Sequence, residues 1–182
     1  MYKLYLLMDT IYTIMASMLW YNCYDILRRD KVNHKVSSNI IAGLHCISVL
    51  FFNLCNNLHI LNIINFPNYY SYIQNISIGF YLYDTYVIFT NTELFKFSNY
   101  ILIYHHISSI TALYSDPIIY MMPSIFFWAE VGNVGIYPVY HYIQTKNSPK
   151  ELKFWKKVQV YTYAPIRIFV LGYYTVIAYN TF

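Results

Sequence analysis

About six apolar stretches, each near the length of a bilayer-crossing helix and joined by short polar segments, take up almost all of this 182-residue chain. They run over roughly 4–23, 36–58, 70–90, 97–115, 117–142 and 157–179, with boundaries soft by a few residues. Only 11% of the residues are charged and 58% are hydrophobic, whereas a soluble domain carries about 25% charged residues. The pattern predicts an all-α, multi-pass helical membrane protein with about six transmembrane helices. No internal repeat or low-complexity linker divides it. Lys3 followed by an apolar run could mimic a signal peptide, but Asp9 interrupts the run and no clean small-residue cleavage site follows, so a retained first span is expected. The 23 tyrosines, with abundant Asn and Ile, fit an AT-rich coding sequence and are not read as a binding stripe.

The basic residues test that division. Arg28, Arg29, Lys31 and Lys35 fall between the first and second stretches, Lys96 between the third and fourth, and Lys146, Lys150, Lys153, Lys156 and Lys157 between the fifth and sixth. The segments around Asn56–Asn68 and Ser115–Asp116 hold no Lys or Arg. With six spans, the three basic segments share one side, which the positive-inside rule makes cytoplasmic, and both termini lie opposite. The net charge of +4 is therefore read as topology and not as a nucleic-acid surface. Cys23, Cys46 and Cys55 match no zinc or redox spacing and are expected to be packed thiols. Pro67, Pro117 and Pro149 fall in joints or at helix starts. Pro123, Pro138 and Pro165 fall inside stretches and could kink them, leaving carbonyls to line a cavity. Gly132 and Gly135 would let helices approach closely.

Against this apolar background His45, Asp84, the pair His105–His106, Glu130 and Arg167 lie within five separate stretches. An ionisable group at the centre of a membrane helix costs roughly 2.5–3.5 kcal/mol on insertion scales. Counted from the cytoplasmic end of each stretch at about 1.5 Å per residue, all of them fall in one slab roughly 9 to 18 Å deep. Adjacent spans run in opposite directions, so this agreement is not forced by sequence order. It predicts one polar cavity in the cytoplasmic half of the bundle. Taken singly, each residue has a structural explanation: His45 as a hydrogen-bonded core histidine, Asp84 with Arg167 as a buried salt bridge, Glu130 bonded to a tyrosine. Adjacent histidines point about 100° apart, so both can face a wide cavity, or one can face it while the other packs. That geometry argues against chelation of one metal, which on a helix wants i and i+4. The HxxxH and HxxHH boxes of di-iron membrane desaturases are absent. No metal and no resident cofactor are expected.

In order along the chain, SSNIIAGLH (Ser37–His45), ISIGFYLYD (Ile76–Asp84), YHHISSI (Tyr104–Ile110), AEVGN (Ala129–Asn133) and APIRIF (Ala164–Phe169) resemble the successive motifs of the TLC-domain family. That family includes ceramide synthases, TRAM-type proteins and a branch of small membrane-lipid regulators. The resemblance covers about residues 36–180 and divides the chain into a first transmembrane helix with its basic loop (1–35) and a TLC-like domain (36–182). Ceramide synthases carry HD..D after the histidine pair. Here Glu130 and Asn133 stand in its place, which argues against sphingosine N-acylation and fits the lipid-regulator branch better.

The resemblance implies a protein of the endoplasmic reticulum that acts on or senses membrane lipids, serving acyl-chain or lipid-composition homeostasis. Its helices would enclose a tunnel for an acyl chain. His105 or His106 would be general base or acyl acceptor, Asp84 or Glu130 would orient the imidazole, and Arg167 would hold a phosphate or carboxylate, with His45 and Asn133 beside the substrate. Membrane lipids are the expected partners, acyl-CoA the candidate acyl donor of an N- or O-acyltransferase, and nucleic acid is not expected. A non-enzymatic lipid regulator and a small transporter are the alternatives; no inverted repeat supports the latter. The oligomeric state is left open by the sequence.

Overall fold

Every element among the described residues of the computed structural model is a helix. The described residues are 2–60, 69–91, 97–114, 122–146 and 148–181. In chain order they form α1 (Tyr2–Arg29), α2 (His34–Ile60), α3 (Tyr69–Thr90), α4 (Phe97–Leu113), α5 (Met122–Asn133), α6 (Ile136–Thr145), α7 (Pro149–Pro165), a π-helical turn (Ile166–Val170) and α8 (Leu171–Thr181). Pro67, Lys96, Pro117 and the Ser115–Asp116 joint lie outside the described residues.

Local chemistry sets the helix ends. Lys31, at φ 61°, closes α1 in the left-handed region, with the Val32 N–H bonded to the Leu27 carbonyl. Asn33 then caps α2, its Oδ1 accepting the Lys35 N–H at 2.8 Å. Ser148 caps α7 by accepting the Glu151 N–H, with Pro149 in the first turn, where its missing donor costs nothing.

The fifth stretch is two helices. Val134 and Gly135 break it, and Pro138 supplies the reason: it has no N–H for the Val134 carbonyl and its ring would crowd it. Pro123 stands at the start of the described part of α5, and the residues before Met122, where it was expected to kink the stretch, lie outside the described residues. Pro165 acts differently. The chain stays helical through it but widens: Ile166 N–H is shared between the carbonyls of Thr162 and Tyr163, and Leu171 N–H reaches back five residues to Ile166.

In packing, α3 lies against α1, α2 and α4, while α2 also meets α5 and α6, and α5 and α6 lean on α7. Two glycines permit the closest crossings. A Cβ on Gly79 would stand 2.6 Å from Ala16 Cβ and 2.8 Å from the Ser17 nitrogen of α1. One on Gly135 would stand 2.5 Å from the Gln159 nitrogen of α7. Gly132 meets only ordinary contact with Ile166, nearest at 3.5 Å. The apolar core runs along α3, where Ile78, Phe80, Tyr83 and Val87 pack with Trp20 of α1 and Ile41 of α2. Trp20 Nε1 donates to the Ile76 carbonyl at 3.2 Å.

By length and composition alone, one helical segment among the described residues, His34–Asn56 of α2, is long and apolar enough to cross a membrane, with mean hydropathy 1.6. The others fall short for identifiable reasons. Asp and Arg punctuate α1, α3 carries Gln, Asn, Ser and Asp among its tyrosines, α4 has 17 residues, the fifth stretch is split, and α7 opens on lysines. Large apolar side chains are nonetheless exposed along several helices. Ile14, Met18, Phe51, Phe89, Ile101, Ile107, Phe169 and Val176 are exposed, while His45, Asn75, Asp84, His106 and Glu130 are buried.

Candidate functional site: a polar cavity with two acid–histidine pairs

One cavity of about 530 Å³ is lined by all seven residues singled out from the sequence: His45, Asp84, His105, His106, Glu130, Asn133 and Arg167. They arrive on α2, α3, α4, α5 and the π turn. Within the cavity they sort into two pairs. His45 Nδ1 stands 3.9 Å from Glu130 Oε1, and His106 Nε2 stands 3.7 Å from Asp84 Oδ2. Both separations exceed hydrogen-bond length but lie within ion-pair reach.

The opposite nitrogen of each ring meets a hydroxyl of α3. His45 Nε2 is 3.2 Å from Ser77 Oγ, and His106 Nδ1 is 3.1 Å from Thr85 Oγ1. Each imidazole is thus engaged at both nitrogens, which holds its orientation. Ring stacking adds to this: His45 lies on Phe80 with centroids 4.2 Å apart, and His106 on Tyr81 at 5.1 Å. Ser77 is 0% exposed and His45 1%. The Glu130–His45–Ser77 line therefore has the connectivity of a catalytic triad, yet its hydroxyl is sealed from any substrate.

The acids are anchored as well. Ser38 Oγ donates to Asp84 Oδ1 at 3.2 Å, and Asn133 Nδ2 donates to Glu130 Oε2 at 3.4 Å. Asn133 then accepts from Arg167 Nη2 through its own Oδ1 at 3.3 Å. Arg167 lies over the Tyr163 ring at 5.1 Å, and its Nε is buried with no hydrogen-bond partner among the described residues. The π turn sets this placement by adding a residue to the helical turn that carries Arg167.

One alternative that the sequence left open is not realised, and another is decided. Asp84 and Arg167 do not form a salt bridge: Asp84 is taken by Ser38 and His106, and Arg167 by Asn133. Of the two arrangements open to the adjacent histidines, the structure has the one in which a single ring faces the cavity while the other packs. His106 is buried and paired, whereas His105 is exposed along the cavity wall, its ring near those of Tyr81 and His106. His45 stands beside Glu130 and also lines the cavity. The sequence reading missed Ser38, Ser77 and Thr85. Ser38 was findable, since it precedes His45 by seven residues on one helical face. Ser77 and Thr85 carried no signal of their own, because small hydroxyls are common in any helix.

Among the described residues no group of three His, Cys, Asp or Glu side chains is arranged to hold a metal ion. Cys46 Sγ donates to the Glu130 carbonyl at 3.6 Å, and the cysteines are free thiols. A second, mostly apolar groove of about 610 Å³ runs beside the cavity between α2 and α6. Asn39 and Tyr137 belong to both, and Asn39 Nδ2 donates to the Tyr137 carbonyl at 2.9 Å. The chain matches no protein-family model, no curated protein and no solved structure.

Proposed function

We propose that this chain is a multi-pass membrane protein of the TLC-domain kind, working in the endoplasmic reticulum. It takes a lipid or acyl derivative into the polar cavity and carries out acid–base chemistry on it, with acyl transfer from acyl-CoA to a lipid amine or hydroxyl as the reaction. The observation that carries the proposal is the inverted distribution of side chains. Paired ionisable groups line the interior, while exposed Ile, Leu, Met and Phe cover the helices outside. Water would oppose that exterior; lipid would not.

Within the cavity the roles divide by availability. His105 is the imidazole that faces the open space, so it takes the proton from the attacking amine or hydroxyl as the new acyl bond forms and the thioester carbon–sulfur bond breaks. That proton then passes to the departing thiolate. Arg167, with an unused donor, holds the anionic part of the ligand. Asp84–His106 and Glu130–His45 shape the wall. The apolar groove beyond Asn39 and Tyr137 suits the acyl chain.

The test is the purified chain in proteoliposomes with labelled acyl-CoA and a panel of lipid amines and alcohols. A labelled lipid product from the wild type, lost in His105→Ala, is expected; no product with any acceptor rejects the transfer. A second reading, a lipid sensor without turnover, is favoured by one observation: both acid–imidazole separations are long and the Ser77 hydroxyl is sealed. Saturable lipid binding without product would select it.

A further inference from the structure

Away from the cavity and the groove, α7 carries a third, open recess of about 450 Å³ on its own surface. Lys153, Lys156 and Lys157 line it, with Val160 and Tyr161 one turn further along. The three lysines fall at i, i+3 and i+4, so they share one face. No carboxylate lines the recess. The face continues without charge toward α8: Tyr161 is 76% exposed, Ala164 is exposed, and Ile168 is 65% exposed. From Lys157 to Ile168 the helix rises roughly 16 Å. Lys153, Lys156, Lys157, Val160, Tyr161, Ala164 and Ile168 are all exposed, so the described residues leave this face of α7 largely uncovered while its other side packs on α5 and α6.

We infer that this face binds one anionic glycerophospholipid, its phosphate among Lys153, Lys156 and Lys157 and an acyl chain along Val160, Tyr161, Ala164 and Ile168. Charge selects an anion, and the apolar continuation selects a lipid over a free phosphate or an acidic peptide, either of which would use the lysines alone. Tyr161 sits where charge gives way to hydrocarbon, the level that amphipathic rings prefer. A lysine near an anionic leaflet contributes about a fivefold gain in affinity, and the gain falls with salt. The inference rests on the membrane placement proposed above and is independent of the chemistry assigned to the cavity.

The experiment uses the full chain in detergent micelles, titrated with phosphatidylglycerol or phosphatidylcholine and followed by native mass spectrometry. The wild type is expected to favour phosphatidylglycerol by at least about tenfold. The triple variant Lys153→Gln, Lys156→Gln, Lys157→Gln should lose on the order of 100-fold of that affinity, while Tyr161→Ala loses several-fold for both lipids. Equal binding by wild type and triple variant overturns the inference, as does full displacement of the lipid by inorganic phosphate. Extraction of the wild-type chain from membranes by alkaline carbonate separates the two claims. Release would end the membrane placement and this inference together; retention with an unaffected triple variant would end this inference alone.

Discussion

His105 and His106 are chemically identical neighbours that the fold treats differently. Both nitrogens of His106 have partners and its ring is stacked, so it belongs to the framework. His105 is bounded by rings and by open cavity. Replacing each by alanine should therefore give opposite results. His105→Ala is expected to lower product formation by about 10²–10⁴-fold with the melting temperature in detergent little changed. His106→Ala leaves Thr85 without the ring it meets and Asp84 with Ser38 alone, and should cost roughly 1–3 kcal/mol of stability. If the two variants melt alike and lose activity alike, the division of roles fails. Glu130→Gln belongs with the second group. It keeps the volume but weakens the hold on His45, and should lower the melting temperature without changing which acceptors are used.

At the level of helices, three glycines that look alike in the sequence differ in consequence. Gly79→Ala drives a methyl against Ala16 and the backbone of Ser17, and is expected to destabilise by about 1–3 kcal/mol. Ala16→Gly in the same chain should recover part of that loss, since it removes the nearest of the contacts. Gly135→Ala meets Gln159 backbone, which cannot swing aside, and should be the worst of the three. Gly172 has nothing within 4 Å of the position of a Cβ, so Gly172→Ala in α8 should be neutral or stabilising by up to about 1 kcal/mol. Thermal melts of the four variants check the order. Pro165→Ala tests the π turn. With the N–H restored, regular α-helical bonding should rotate Arg167 away from Asn133, weakening ligand binding at unchanged stability. Unaltered ligand affinity in this variant would show that the widened turn has no part in placing the guanidinium.

For the molecule as a whole, the membrane placement makes its own prediction. Single cysteines at the exposed positions Ile101, Ile107 and Val176 should resist a membrane-impermeant maleimide in intact vesicles. A cysteine at Lys153, on the exposed face of α7, should react from the cytoplasmic side only. Rapid labelling at all four positions would rule the bilayer out. Six of the seven site residues were legible because each is an ionisable group that breaks an apolar background, while Asn133 was reached only through the resemblance of the AEVGN segment. Helical character was legible as well, since apolar runs of about 20 residues are longer than strands usually are. The split of the fifth stretch was half legible: Pro138 announces a break, but the chain turns at Val134 and Gly135, where the proline's missing donor takes effect.

What the amino-acid order determined by itself is therefore the helical class and the ionisable members of the polar cavity, both properties of composition along one dimension. Which acid meets which histidine depended on how α2, α3, α4 and α5 are rotated about their axes. That rotation is set by contacts far apart in the chain, such as Gly79 against Ala16 and Asn39 against Tyr137. Equal depth brings charged groups to the same level, but only the packed bundle assigns Glu130 to His45 and Asp84 to His106. The tertiary structure leaves His105 facing the cavity.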